Sequence, residues 1–221
     1  MLKGIFQQNK SFLLPYLILL FTALPFLLLI PKDSLHLWMN SLHTNWGDFF
    51  FKKITFLGDG LFVLVACILM LFFSLRYSLF LLSAYISTGV VVQLLKHLAF
   101  NDIVRPVKYF QNKSVLYLVD GVHIYYRQSF PSGHATSAFA LFLCLAMITK
   151  KKWIKLVCLL MACLVAYSRV YLSQHFFIDI YAGSVIGCAG AITFYYLYFS
   201  KYRSYYSWSI PLLFKKNGSG K

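Results

Sequence analysis

The sequence predicts an all-α polytopic membrane protein, a bundle of six transmembrane helices, and composition, run length and charge placement carry that reading. Hydrophobic residues make up 60% of the 221 and charged residues 12%, against about 45–50% and about 25% in soluble domains. Six apolar runs each come close to the roughly 20 helical residues that a bilayer core requires. Twelve of the 21 basic residues lie at one end of these runs, and all six acids, every one an aspartate, fall at the other.

The first run, 11–30, carries no charge. It ends Leu28, Leu29, Ile30, Pro31 without the small residues of a cleavage site, and it is long for the core of a signal peptide, so it reads as a retained span. Runs at 58–75 and 78–98 are parted by Arg76 and Tyr77 alone, the mark of a tight hairpin. Lys150, Lys151 and Lys152 make a similar turn between 131–149 and 153–172, and 177–199 closes the set.

An even number of spans brings both termini to one side. That side holds Lys3, Lys10, Arg76, Lys150, Lys151, Lys152, Lys155, Lys201, Arg203, Lys215, Lys216 and Lys221, twelve of the 21 basic residues. The positive-inside rule then sets both termini in the cytoplasm of a multi-pass protein. Trp153, Tyr195, Tyr196, Tyr198, Tyr202 and Trp208 lie at or just past span ends, where amphipathic rings favour the headgroup level.

The net charge of +15 raises nucleic acid as a partner, but most of these cations flank spans, where they orient helices and meet anionic lipid. Membrane lipids are the expected partners and nucleic acid is not. Cys67, Cys144, Cys158, Cys163 and Cys188 all sit in apolar runs without metal-ligand spacing and read as small hydrophobes. With no internal repeat, one domain over 1–221 is expected, ending in the low-complexity tail 217–221.

Two outer segments remain. In 31–57, Leu35, Trp38, Met39, Leu42, Trp46, Phe49 and Phe50 recur at mostly helical spacing, which fits an interfacial helix or a plain connection. The loop 99–130 is the longest polar stretch, and connections of that length are usually functional or disordered.

Ionisable residues at the ends of apolar spans are costly and point to function. Three groups share the outer side: Lys96 with Arg105; Pro131, Ser132, Gly133 and His134; and Ser168, Arg169, His175 and Asp179. His175 and Asp179, four apart, share a helical face, so the carboxylate can hold one ring nitrogen and leave the other free as a nucleophile. A helix opening at Ser132 and Gly133 offers backbone N–H groups to an anion, with His134 beside it to exchange a proton. Lys96, Arg105 and Arg169 supply the positive charge that phosphoryl transfer needs around its equatorial oxygens.

Without glutamate, and with each aspartate at least 11 residues from the next, no local carboxylate pair suggests a metal site, and no cofactor is expected. Taken singly, each residue has a plain account: membrane histidines usually pack, and span-end cations usually snorkel. Those accounts do not explain why they gather on one face. His36, His43, His97 and His123 have no such company and stay unassigned.

These residues resemble the type 2 phosphatidic acid phosphatase superfamily, whose signatures are a Lys and Arg-Pro block, Pro-Ser-Gly-His, and Ser-Arg-x5-His-x3-Asp. Pro131 to His134 reads PSGH and Ser168 to Asp179 reads SRVYLSQHFFID, both without departure. The first block departs: eight residues separate Lys96 from Arg105 where the family usually has six. A two-residue extension at the end of the third span accommodates this, and Lys108 is the alternative lysine. The resemblance covers roughly 60–195.

It implies a six-helix bundle with an outer-face active site in a bacterial plasma (inner) membrane, and hydrolysis of a lipid phosphate through a phosphohistidine. His175 would be nucleophile, His134 acid and then base, and Asp179 the orienter, while Lys96, Arg105, Ser132, Gly133 and Arg169 bind phosphate. Undecaprenyl diphosphate and a lipid A phosphate lead as substrates over phosphatidylglycerol phosphate and phosphatidic acid. A phosphotransferase that passes phosphate from a lipid diphosphate to another lipid would share every residue named. A transporter or haem protein would instead use the histidines as gates or ligands.

Overall fold

The computed structural model describes residues 2–201; the readings of Tyr202, Arg203, Trp208, Lys215, Lys216 and 217–221 lie outside the described residues. Among the described residues, regular structure is helical, with no strand. α1 (Leu2–Gln8) leads into α2 (Lys10–Leu29), followed by α3 (Lys32–Asn40), α4 (Asn45–Ile54), a 3₁₀ turn (Thr55–Gly58) and α5 (Gly60–Phe73). α6 (Leu75–Leu94) continues through a π-helical turn, Leu95–Ala99. The short α7 (Pro106–Phe110) interrupts the long loop before α8 (Gly133–Ile148), α9 (Lys152–Tyr171) and α10 (Phe177–Tyr196).

The six expected spans do not all appear as full-length helices. Among the described residues, four stretches are long and apolar enough to cross a bilayer: α2, α6 with its π turn, α9, and α10 with its extension to Ser200. α4 with its 3₁₀ turn and α5 form a pair bent by 56°, which counts as a fifth if it is one broken span. The break has a local cause. Asp59 accepts the Leu61 N–H at 3.0 Å and starts a new helix as its N-cap.

α8 has 16 residues, about 24 Å at 1.5 Å per residue, against a core of about 30 Å. It is also the most enclosed helix, burying Ala135, Ala138, Leu143, Cys144 and Ala146 on several sides. Protein rather than lipid surrounds it, so its length is not set by the bilayer alone.

Small residues bring α8 and α10 together. A Cβ on Gly187 would lie 2.4 Å from the Thr136 carbonyl oxygen, and one on Gly183 would lie 2.6 Å from that of Ser132. Spaced four apart, the two glycines let backbones meet at a distance larger residues forbid, which is how helices associate when lipid removes the hydrophobic drive. The contact also aligns the first turns of both helices, and the Ser132 N–H donates to the Asp179 carbonyl at 3.0 Å.

α2 lies at the edge, tied in by Tyr16, whose hydroxyl sits 3.1 Å from Ser184 Oγ and whose ring meets Phe139. Its remaining face exposes Leu28 and Leu29 at about four-fifths of their surface, as a lipid-facing helix should.

Candidate active site

The three groups singled out in the sequence meet at one end of the bundle. α9 ends at Tyr171, and the chain reverses through Ser173, whose φ of 51° is left-handed. The turn folds back over its own helix end, so the Gln174 and His175 N–H groups both donate to the Arg169 carbonyl, at 2.9 and 3.1 Å. His175 is thereby pinned beside Arg169, and α10 begins at once and carries Asp179 one turn on.

Asp179 Oδ2 accepts from three donors: His175 Nδ1 at 3.3 Å, the Phe176 N–H at 2.9 Å, and the Ser129 hydroxyl in a short bond. The His175 ring is held by its Nδ1, so Nε2 is the nitrogen left for chemistry. Burial, followed by the charges of Arg105, Arg169 and Lys96, holds His175 well below the ordinary imidazole range. It is therefore neutral at physiological pH, with its lone pair available.

The cations converge by different routes. Arg169, 5% exposed, donates from Nη1 to Thr55 Oγ1 at 2.7 Å, while its Nε has no partner among the described residues. Arg105 rests on the loop: its Nε donates to the Arg127 carbonyl at 2.9 Å, its Nη1 reaches the Gln174 carbonyl at 3.3 Å, and its guanidinium lies 5.0 Å from the Tyr125 ring centre. Burial lowers the Arg105 pKa, and Asp179 and Tyr125 oppose the shift. Lys96 is buried inside the π-helical turn. Such a turn widens the helix by a residue and is frequent at functional sites. Lys108 is exposed and bonds Gln111 Oε1 at 3.4 Å, away from this group.

Ser132 caps α8, its hydroxyl accepting the Ala135 N–H at 3.4 Å. A Cβ on Gly133 would meet nothing within 4 Å, so space opens beside the helix start. His134 is partly buried, and the 3₁₀ turn presses on its backbone so closely that a Cβ on Gly58 would lie 2.9 Å from its carbonyl oxygen. That same turn delivers Thr55 to Arg169.

Thr55, Gln174 and Ser129 are not among the candidate residues that the sequence offers. Ser129 and Gln174 are both buried polar residues; Gln174 lies inside SRVYLSQHFFID and Ser129 two residues before Pro131, and that nearness was the available signal. Thr55 lies far away in sequence and gave none. His36, left unassigned, is 1% exposed. Its Nε2 lies 3.3 Å from Ser173 Oγ, its ring stacks on Phe110, and its Nδ1 has no partner among the described residues. Burial lowers it to about 4. Through Ser173, α3 braces the turn that carries His175.

Residues 77–203 match the PAP2 superfamily. A lipid A 4'-phosphatase of Bacteroides thetaiotaomicron is 37% identical over 68 residues, 31% of this chain and 30% of that protein, so the match spans under a third of the relative's length. The crystal structure of Aquifex aeolicus LpxE superposes with a TM-score of 0.65 at 27% identity, over 73% of this chain and 92% of that one. The fold is also that of a PAP2-type phosphatidylglycerolphosphate phosphatase from Bacillus subtilis, with a TM-score of 0.60 at 22% identity, over 85% of this chain and 94% of that one.

Proposed function

The chain belongs to the PAP2 superfamily, and from that premise we propose that it is a lipid phosphatase that hydrolyses a phosphate ester through a phosphohistidine on His175. The observation that carries this reading is the neutral, Asp179-held His175 amid three buried cations at the opening of α8. The single domain crosses the membrane six times, counting α8 and the bent α4–α5 pair, with both termini cytoplasmic and the site on the outer face.

In the first step Nε2 of His175 bonds to phosphorus as the ester P–O bond breaks, and His134 gives its proton to the leaving oxygen. Asp179 orients the ring and stabilises the imidazolium form. In the second step His134 takes a proton from water, the water oxygen bonds to phosphorus, and the P–N bond breaks to release phosphate. Lys96, Arg105, Arg169, Ser132 and the N–H groups at Gly133 hold the equatorial oxygens throughout. Arg169 Nε, buried and unpartnered, suits a phosphate oxygen. All positive charge in this scheme comes from side chains and the helix start, with no metal or cofactor.

Among substrates, a lipid A phosphate is favoured, since the Bacteroides relative is a lipid A 4'-phosphatase. The test is phosphate release from purified protein with lipid A, undecaprenyl diphosphate, phosphatidylglycerol phosphate and phosphatidic acid, each in excess chelator and without an acceptor lipid. Release should be fastest from lipid A. Lack of release without an acceptor would instead mean a phosphotransferase, and activity restored only by magnesium on a simple phosphomonoester would overturn the metal-free scheme. In sealed right-side-out vesicles an impermeant phosphomonoester should be cleaved at once; cleavage only after opening would reverse the proposed orientation.

A further inference from the structure

At the opposite end of the bundle Lys155 is also buried, 4% exposed, in the first turn of α9. Its ammonium donates to the Gln8 carbonyl at 2.7 Å and to Asn9 Oδ1 at 2.6 Å, both neutral acceptors. Among the described residues no carboxylate pairs with it. The six aspartates all lie on the active-site side, and 202–221 contain neither aspartate nor glutamate. A buried cation without an anion is costly, so what else this end offers matters.

Lys155 lines a cavity of about 490 Å³ together with Lys150, Thr149, Tyr77, Tyr195 and Gln8. Lys150 is exposed at its rim, and the two bonds above leave the third Lys155 N–H for a group inside. Met147, Ile148 and Phe199 add apolar side chains to the lining. A lining that combines two lysines and hydroxyls with hydrocarbon matches a phosphate joined to a glycerol and its chains better than a free ion.

We propose that this cavity binds the phosphate of an anionic phospholipid headgroup, held between Lys150 and Lys155. The site is separate from the active site and serves to fasten α1 and the α8–α9 turn to the lipid at that membrane face.

The test is native mass spectrometry of the full-length protein released from detergent with equal phosphatidylglycerol and phosphatidylcholine. The wild type should retain one phosphatidylglycerol, favoured about fivefold per contributing lysine. Lys150→Gln and Lys155→Gln should each bring retention towards parity, with hydrolysis of a soluble phosphomonoester unchanged, and Lys155→Arg should keep the preference. Because Lys155 also holds Gln8 and Asn9, the exposed Lys150→Gln keeps the test decisive if Lys155→Gln fails to fold. Equal retention of both lipids by the wild type, or a preference undiminished by Lys150→Gln, overturns the proposal. Displacement of the lipid by millimolar inorganic phosphate would mark a site for the free anion and overturn it too.

Discussion

The two ends of the bundle bury positive charge in contrasting ways. At one end Lys96, Arg105 and Arg169 act on a neutral His175, and Asp179 is the one buried carboxylate among the described residues. At the other, Lys155 bonds to the Gln8 carbonyl and the Asn9 amide oxygen, both neutral. Three cations to one anion is an excess that a doubly charged phosphate can balance, and the cationic groups are fixed before it arrives. A site so arranged stabilises charge as it develops, without reorganising. The Lys155 end has cations and hydroxyls but, among the described residues of its cavity, no histidine held by a carboxylate, so the proposed site would bind an anion without a nucleophile of that kind. Charge alone does not make a catalyst; the difference lies in the Asp179–His175 pair and in His134.

The contrast can be broken most sharply at the nucleophile. His175→Ala should lower turnover by at least about 10⁴-fold, while His134→Ala should retain some attack on substrates with good leaving groups and accumulate phosphoenzyme. Acid-quench trapping of labelled phosphohistidine reads both outcomes. Equal residual activity with no trapped intermediate in either variant would remove the division of roles.

A smaller effect separates the cations. Arg169→Met should slow turnover by about 100-fold and weaken vanadate inhibition in parallel, because vanadate on His175 would imitate the five-coordinate state. Lys155→Met should leave both unchanged in steady-state assays on a soluble phosphomonoester. A shared loss would mean that the two ends are coupled through α9.

The smallest effect concerns the brace. His36 is lowered to about 4, chiefly by burial, from an ordinary value of about 6.5. Between those values the unfolded chain binds more protons than the folded one, so stability falls as pH drops through that window and levels off below it. His36→Phe preserves stacking on Phe110 and removes the proton uptake. Relative to wild type it should gain about 2 kcal/mol between pH 8 and pH 5, read as a smaller acid shift in melting temperature in detergent. An identical acid shift in both proteins would assign the loss elsewhere, His175 being the next buried imidazole.

Much of this was legible in the chain. Hydrophobic content and run length called for membrane helices, and PSGH with SRVYLSQHFFID identified the site, because each motif is local: a helix start with its cap, and a histidine one turn from its carboxylate. Run length was a poorer guide to spans. Apolar runs at 58–75 and 131–149 became helices of 14 and 16 residues, since Asp59 and Ser132 cap them late. An apolar run also does not distinguish lipid from protein as its surroundings.

By itself, then, the sequence determined the all-helical class, the gathering of basic residues at one end, and the His175–Asp179 pairing, because periodicity, charge and i,i+4 spacing act within a few turns of chain. Only the tertiary structure decided which distant groups complete the site. Thr55 meets Arg169 because Gly58 lets the 3₁₀ turn lie against α8 and α9. Gln174 meets Arg105 because the long loop folds back over the α9–α10 turn. Such contacts join residues 69 and 114 positions apart, and their geometry depends on how closely helices pack, which glycine positions permit but no local pattern specifies.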